Sequence, residues 1–224
     1  MSSPMSSPMS EQLVSPVFLF RFSVPCRYRH QVWGPDGVQL ESKYRVPSFR
    51  ELEGNKLFAD LRVAWNKEGL AFDVRVVGKA RAPWCRDTRP ADSDGLHVWI
   101  DTRDTHNIHR ASRFCHRFAF LPRGTGAGGN SPLAQSVPIN RAKEPPNAPA
   151  PSTLRVRSEK RATGYALEAF VPAAALNGYD PDEYPRLGFS YAVIDHELGW
   201  QTFSVGPELP FMEDPSLWGT LELA

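Results

Sequence analysis

Apolar and polar residues alternate along short stretches of this sequence, and turn-forming residues separate the stretches. From Leu57 to Trp65 every second residue is apolar, and the same holds from Leu70 to Val76. Alternation with a period of two is the pattern of a strand with one buried face. Asn66 to Gly69, between the two stretches, supplies a short polar segment ending in glycine, which favours a turn. The sequence therefore predicts a β-hairpin here.

Similar but shorter patterns predict further strands along the chain. They lie at Leu96–Ile100, Phe114–Leu121, Leu154–Val156, Tyr165–Val171, Leu187–Asp195 and Leu217–Leu223, and alternate phenylalanines at 18, 20 and 22 indicate another near the beginning. Helical patterns are scarce, with one proline-started turn predicted at Pro172–Leu176. Many short strands separated by turns favour an all-β fold, an antiparallel β-sandwich of two sheets.

The order of these patterns predicts one folded domain. Residues 1–15 repeat serine, proline and methionine, a composition typical of disorder. Residues 16–224 then form a single β-sandwich domain, since strand patterns continue throughout. The stretch 122–153 is rich in glycine, proline, alanine and asparagine and is predicted to be a long loop. A loop of this length is either functional or mobile, and binding of a protein partner through it is one interpretation.

Composition supports the β-rich prediction and excludes several classes of protein. Proline accounts for 21 of 224 residues, and helices tolerate proline poorly because it removes a backbone donor. Lys and Arg number 26 against 25 Asp and Glu, so the charge balance predicts binding neither to nucleic acid nor to anionic lipid. No apolar run approaches the roughly 20 residues that span a membrane, so no membrane association is expected.

The cysteines and the N-terminal sequence bear on the cellular compartment. Cys26, Cys85 and Cys115 are far apart and lack zinc-site spacing. Reduced thiols are the simpler interpretation, with one disulfide and one free thiol as the alternative. The beginning of the chain lacks a basic segment followed by a long apolar run, as a signal peptide would have. We therefore expect a cytoplasmic location.

Few residues are arranged for catalysis. The glycine-rich segment 124–129 is followed by Pro132, which is unsuited to the helix of a phosphate-binding loop, so a flexible loop is favoured. Asp101–His109 places carboxylates and imidazoles close together. A structural calcium ion, a catalytic metal and a polar loop with turn-capping aspartates are the alternatives for this segment. No nucleophile motif is present, so a non-catalytic protein is expected.

Five tryptophans lie near predicted strand ends or loops, where a ligand could reach them. They are Trp33, Trp84, Trp99, Trp200 and Trp218. A flat apolar ring is the surface against which the C–H face of a sugar packs, with neighbouring polar groups binding the hydroxyls. Tryptophans are also ordinary residues of a core, and that interpretation stays open for each of them.

Three stretches, taken in order, resemble the family 9 carbohydrate-binding modules and the wider group of DOMON-like sandwich domains. The first is Pro83-Trp84 followed by the strand Asp94–Asp101. The second is the Gly-Tyr-x-x-Glu pattern at Gly164–Pro172, followed by Leu187–Phe189 and Asp195. The third is the terminal segment Asp214–Leu221. The resemblance covers residues 18–224 and implies a two-sheet β-sandwich.

In sugar-binding members of this family two tryptophans hold a terminal sugar between them, and polar side chains bind its hydroxyls. Trp84 falls at the first of these tryptophans, while Phe211 to Glu213 stand where the second belongs. His97 corresponds to a glutamate of the family, and Arg117 is the nearest match to its sugar-binding arginine. The resemblance therefore implies a ligand site made by Trp84, His97, Arg117, Phe211 and Glu213.

Three hypotheses for the function follow. The leading one is a non-catalytic domain that binds a carbohydrate or another small ligand without a cofactor. The second is a protein-interaction or scaffold domain that uses residues 122–153 and has a vestigial cleft. The third is a metal- or haem-binding domain, because relatives in the wider group bind haem through methionine with histidine or lysine. Met212 and His97 are residues of these types.

Overall fold

The structure, a computed structural model, describes residues 16–150 and 152–224. Helix in these two ranges is limited to short 3-10 turns, and none is long and apolar enough to cross a membrane. The strands are β1 (Ser23–Tyr28), β2 (Ala59–Asn66), β3 (Gly69–Val77), β4 (Gly95–Asp101), β5 (Cys115–Thr125), β6 (Ser131–Ser136), β7 (Arg155–Arg161), β8 (Gly164–Pro172), β9 (Arg186–Asp195), β10 (Gly199–Thr202) and β11 (Gly219–Leu223). The disorder predicted for residues 1–15 lies outside the described residues.

The strands form two layers that share one strand. The first sheet has the order β6-β5-β4-β9-β11-β1, with β10 also paired to β9, and the second has the order β1-β2-β3-β8-β7. Strand β1 pairs with β11 through residues 23–26 and with β2 through residues 27 and 28, in parallel both times. The other strand pairings are antiparallel. The all-β sandwich expected from the sequence is confirmed.

The core lies between the two sheets and is built from alternate residues of their central strands. Val98, Phe120 and Phe189 come from the first sheet, while Phe72 and Leu167 come from the second, and all five are fully buried. Burying a side chain of this size contributes about 1.5–3 kcal/mol to stability. The alternation that predicted these strands therefore also identifies their inner faces, and it leaves every second residue for the outer faces.

The strand predicted around Phe18, Phe20 and Phe22 is wrong. The structure has a 3-10 turn at Pro16–Leu19, and β1 begins only at Ser23. The Phe20 side chain is exposed, whereas the Phe22 ring stacks on Phe49 with 3.7 Å between ring centroids. Alternate phenylalanines here do not share one sheet face, because Phe18 lies in the 3-10 turn and Phe20 precedes β1, while Phe22 alone of the three meets β11, its carbonyl accepting a hydrogen bond from the Thr220 N–H at 2.9 Å.

The prediction of a loop over residues 122–153 holds only for its second half. Strand β5 continues to Thr125 and pairs with β6. Gly126, Gly128 and Gly129 have positive φ angles of 66–70°, a backbone conformation that favours glycine and lets the chain reverse tightly. The proline at 132 is tolerated because β6 is an edge strand. Residues 137–142 then run over the outer face of the first sheet, where Val137 and Ile139 are buried.

Candidate functional site

The outer face of the first sheet gathers three of the five residues predicted to bind ligand. His97 and Trp99 point to this face from β4, and Arg117 lies opposite Trp99 on β5. The Arg117 guanidinium lies 4.9 Å from the centre of the Trp99 ring, and the His97 ring centroid is 6.4 Å from it. Phe211 packs edge-on against Trp99 at 5.1 Å. The structure thus brings His97, Arg117 and Phe211 together around Trp99.

This cluster is closed to solvent. Ile139, Val205, Phe211 and Trp218 cover Trp99, and the whole group forms a second apolar core. The Trp99 indole donates a hydrogen bond to the carbonyl of Met212 at 3.1 Å, and the Trp218 indole donates to the carbonyl of Phe211 at 2.6 Å. Phe211 is fully buried, so the open clamp expected between Trp84 and Phe211 is not formed in this structure. A ligand contact by Phe211 stays a prediction.

Several polar atoms are buried in this closed face without hydrogen-bond partners. They are Nδ1 of His97, Nε of Arg117 and Oγ of Ser190, which lies opposite Trp99 on β9. The other ends of the two larger side chains are held: His97 Nε2 donates to the Ser93 carbonyl at 3.0 Å, and Arg117 Nη2 donates to the Ala91 carbonyl at 3.2 Å. Unpartnered polar groups are rare in a core. The face therefore combines the polar groups of a binding cleft with the apolar cover of a core.

The environment of His97 keeps its imidazole neutral. Burial, and then the charge of Arg117, lower the pKa of His97 from 6.5 to about 3. Because the Ser93 carbonyl only accepts, the single proton of the neutral ring sits on Nε2. Burial also lowers the pKa of Arg117 to about 10, so its guanidinium is still charged at neutral pH.

We expect His97 to make the protein acid-sensitive. Its folded pKa lies below the ordinary value of 6.5, so the unfolded state takes up the proton first as the pH falls. Stability is then lost from about pH 6.5 downwards, and at about pH 4.5 the loss from this group alone should be about 2–3 kcal/mol. His97→Gln keeps an N–H donor and cannot titrate, so it should remove this part of the loss.

The measurement is urea denaturation at neutral pH and at about pH 4.5. The exposed His30→Gln is the control, because this side chain is solvated in both states. His116 is a second buried histidine, and burial lowers its pKa to about 4. Wild type and His30→Gln should therefore lose stability in acid through both His97 and His116, whereas His97→Gln should lose it through His116 and not through His97. An unchanged acid loss in His97→Gln would contradict this account.

Trp84 lies apart from the closed cluster, in the segment between β3 and β4. Its backbone N–H donates to Asp94 Oδ2 at 2.9 Å, and its half-buried ring lies 4.6 Å from the His196 ring. The guanidinium of the exposed Arg86 lies 5.1 Å from the ring centre. A surface pocket of about 390 Å³ adjoins the indole, and Asp87 and Thr88 also line it. Of the two rings that the family resemblance placed around a ligand, Trp84 borders open space and Phe211 is buried.

The fifth predicted residue, Glu213, lies near the cover of the closed cluster. Its side chain is half-buried and accepts a hydrogen bond from Asn140 Nδ2 at 3.2 Å. This hydrogen bond therefore connects the segment after Phe211 to the segment 137–142, and both segments cover the closed cluster. The structure shows no contact between Glu213 and Trp84.

A buried ion cluster, which sequence reasoning missed, fixes the segment that carries Trp84. Lys79 Nζ lies 3.2 Å from Asp94 Oδ2, 2.8 Å from Asp195 Oδ1 and 3.6 Å from Glu197 Oε2. Asp94 Oδ1 also accepts hydrogen bonds from the backbone N–H of His196 at 2.9 Å and from its ring Nδ1 at 2.5 Å. Burial alone would lower the pKa of Lys79, but the hydrogen bonds and charges of Asp195 and Asp94 outweigh it and raise the pKa.

Of the two aspartates considered for calcium, Asp101 caps a turn and Asp104 pairs with basic side chains. Asp101 accepts hydrogen bonds from the backbone N–H groups of Arg103 at 3.0 Å and Thr105 at 2.8 Å. Asp104 lies 2.8 Å from His106 and 3.1 Å from Arg186. Across residues 16–150 and 152–224 no group of three or more His, Cys, Asp or Glu side chains is placed to hold a metal ion. A structural calcium ion stays a prediction.

The three cysteines are free thiols in the structure. Burial is the main cause of a raised pKa for each thiol, to about 12 for Cys85 and Cys115. These groups are therefore protonated and poorly nucleophilic at neutral pH.

Comparison with known proteins finds similarity in structure alone. No family model and no curated protein sequence matches the chain. A family 9 carbohydrate-binding module from Caldicellulosiruptor kristjanssonii, in complex with cellotriose, is similar with a TM-score of 0.59 and 13% identity, covering 90% of this chain and 93% of that one. Its complex with glucose gives a TM-score of 0.54 and 12% identity, covering 91% and 96%.

A third structure supports the same conclusion. It is described as that of a candidate carbohydrate-binding protein from Bacteroides uniformis ATCC 8492 and has a TM-score of 0.56 and 12% identity, covering 92% of this chain and 100% of that one. The chain therefore has a divergent form of the fold of family 9 carbohydrate-binding modules, as the three sequence stretches predicted.

Proposed function

We propose that this protein is a non-catalytic domain that binds carbohydrate at Trp84. The similar structures from Caldicellulosiruptor kristjanssonii hold cellotriose and glucose, which supports a carbohydrate as the class of ligand. The observation that carries the proposal is the half-buried Trp84 indole beside a pocket of about 390 Å³. Such a ring offers a flat apolar surface for the C–H face of a sugar.

The surroundings of Trp84 fit a stacking site with polar neighbours. Its backbone is tied to the buried carboxylate of Asp94, so the ring is positioned before a ligand arrives, which lowers the entropic cost of binding. Arg86, Asp87 and Thr88 are exposed beside it and offer donors and acceptors to sugar hydroxyls. Arg86 is exposed and flexible, and it has to swing away from the indole to admit a ring.

Removal of the Trp84 ring tests the proposal. Trp84→Ala should weaken binding about tenfold or more, because a ring that packs directly on a ligand is the type of residue that dominates binding energy. The measurement is isothermal titration calorimetry against a panel of neutral and acidic mono- and oligosaccharides. Trp33→Ala is the control, since Trp33 is also half-buried but stacks on Phe170 of the second sheet.

The two variants together separate binding from folding. Equal binding by wild type and Trp33→Ala, with loss in Trp84→Ala, supports the proposal. If wild type binds none of the saccharides, the function proposed here is wrong. If both variants bind as wild type does, the ligand binds elsewhere on the sandwich.

A further inference from the structure

A second pocket, of about 430 Å³, lies beside the Trp84 pocket at one end of the sandwich. Three parts of the chain line it: the loop after β3 contributes Arg81, the β5–β6 hairpin contributes Arg123, and the β7–β8 hairpin contributes Lys160 and Tyr165. The two pockets share Pro83 and Arg123 in their linings. A ligand stacked on Trp84 is therefore next to this second pocket.

The second pocket is basic. Its lining includes Lys79, Arg81, Arg123, Lys160 and Arg161, and it includes no Asp or Glu. Two of these cations are neutralised elsewhere, because Lys79 lies in the buried ion cluster and Arg161 pairs with an exposed glutamate at 2.7 Å. Arg81 and Lys160 have no ion pair within the described part of the chain. Arg81 and Lys160, both exposed, thus supply positive charge that no carboxylate in residues 16–150 and 152–224 pairs with, whereas the Lys79 cluster beside the pocket has three carboxylates around one lysine.

The Lys160 side chain faces the pocket because of its register in the β7–β8 ladder. Lys160 pairs with Tyr165 across the antiparallel strands, and directly opposed residues lie on the same face of a sheet. Tyr165 is on the inner face and buried. Arg155 is five residues from Lys160 along β7 and therefore lies on the opposite face.

Arg123 adds donors from the first sheet. Its Nε donates to the Gly129 carbonyl at 3.2 Å, and its Nη2 donates to Asn130 Oδ1 at 3.0 Å. These bonds orient the planar guanidinium at the boundary between the two pockets. The remaining N–H groups of the Arg123 guanidinium can donate hydrogen bonds to two oxygens of a carboxylate or a sulfate.

The Tyr165 hydroxyl supplies an independent sign of a ligand. Tyr165 lines the pocket, and its hydroxyl is buried without a hydrogen-bond partner. Burial first, and then the charges of Asp195 and Asp94, hold the pKa of Tyr165 well above 10, so the hydroxyl is protonated and lies beside the Lys79 ion cluster. A buried hydroxyl without a partner is unfavourable, and an anionic oxygen in the pocket would accept a hydrogen bond from it.

We propose that this basic pocket binds the anionic group, a carboxylate or a sulfate, of an acidic saccharide whose ring stacks on Trp84. The inference rests on the proposed function and specifies its ligand class. Lys160 and Arg81 supply charge, Arg123 supplies oriented donors, and Tyr165 supplies a neutral donor at the floor.

The test compares ligands that differ only at one carbon of the sugar: glucose, glucuronate and glucose 6-sulfate, with inorganic sulfate as a further probe. Wild type should bind glucuronate or the sulfate ester about tenfold more tightly than glucose, because charge-assisted hydrogen bonds are strong. This preference should weaken with added salt. Lys160→Gln should abolish most of the preference and leave glucose binding unchanged. Arg155→Gln, on the other face of the same strand, should behave like wild type.

The outcomes separate this inference from the proposed function. Equal affinity for glucose and both acidic sugars, unchanged in Lys160→Gln, overturns the anionic ligand and leaves carbohydrate binding intact. Binding of inorganic sulfate that depends on Lys160, without binding of any saccharide, overturns both the acidic saccharide and the proposed function. A preference for only one of glucuronate and the sulfate ester identifies the anionic group.

Tyr165→Phe tests the floor of the pocket. It should reduce the acidic preference severalfold without lowering the melting temperature, since the lost hydroxyl has no partner in the protein. A fall in melting temperature with an unchanged preference would show that the hydroxyl serves the fold, and would remove Tyr165 from the proposed site.

Discussion

Lys79→Met is expected to lower the free energy of unfolding by about 3–5 kcal/mol, the usual effect of removing one partner from a buried ion pair. Asp94 and Asp195 are fully buried, and Lys79 lies within 3.2 Å of both. Methionine fills a similar volume but leaves two carboxylates without a cation in an apolar interior. The effect should exceed that of any surface ion pair in the protein.

Urea denaturation at neutral pH measures this effect, and Lys67→Met is the matched control. Lys67 lies 2.6 Å from Asp182, and about 70% of each side chain is exposed, so its loss should change stability by less than about 1 kcal/mol. Similar effects of the two substitutions would contradict a special role for burial. Because Asp94 also holds Trp84, Lys79→Met should disturb the Trp84 pocket as well.

Phe211→Ala is also expected to destabilise the protein by about 3–5 kcal/mol. The ring is fully buried and packs edge-on against Trp99, and its removal leaves a cavity that the rigid sheet cannot fill. A ring that served mainly as an exposed ligand contact would give a loss of binding with little loss of stability.

Two further variants make this expectation specific. Phe20→Ala removes an exposed ring and should change stability by less than about 0.5 kcal/mol. Phe211→Leu keeps most of the apolar volume and should cost less than the alanine variant. Saccharide binding by Phe211→Leu at the wild-type level, together with marked loss of stability in Phe211→Ala, would assign Phe211 to the core. Small effects of Phe211→Ala and Phe211→Leu on stability would contradict the assignment of Phe211 to the core.

Strand alternation made most of the fold predictable from sequence. The hairpin of β2 and β3 was predicted because both strands place alternate apolar residues in the core and a tight turn joins Asn66, where β2 ends, to Gly69, where β3 begins. The error at Phe18–Phe22 arose because alternation describes which side chains are apolar, not whether a partner strand is present. Strand β6 was missed since its proline and flanking glycines are typical of loops as well as of edge strands.

The sequence proposed members of a candidate site but could not predict which of them are exposed. Sequence motifs proposed His97 and Arg117 as ligand-binding residues, and strand register places both on one sheet face, while their contact with a ligand stays a prediction. Whether that face is open depends on Ile139, Val205, Phe211 and Trp218, which come from distant segments and have no shared pattern. The burial of Lys79 could not be predicted from the sequence either, since a single lysine after a strand usually points to solvent.

Strand β1 connects the two sheets, and this has a consequence for how the chain reaches its native state. Ser23 donates a side-chain hydrogen bond to Glu222, 199 positions later, and residues 23–26 pair only with β11 on that side. Contacts between such remote positions form slowly, because a very large loop must close first. During synthesis the β2–β3 hairpin can assemble early, while β1 has to wait until β11 has left the ribosome before the first sheet is complete.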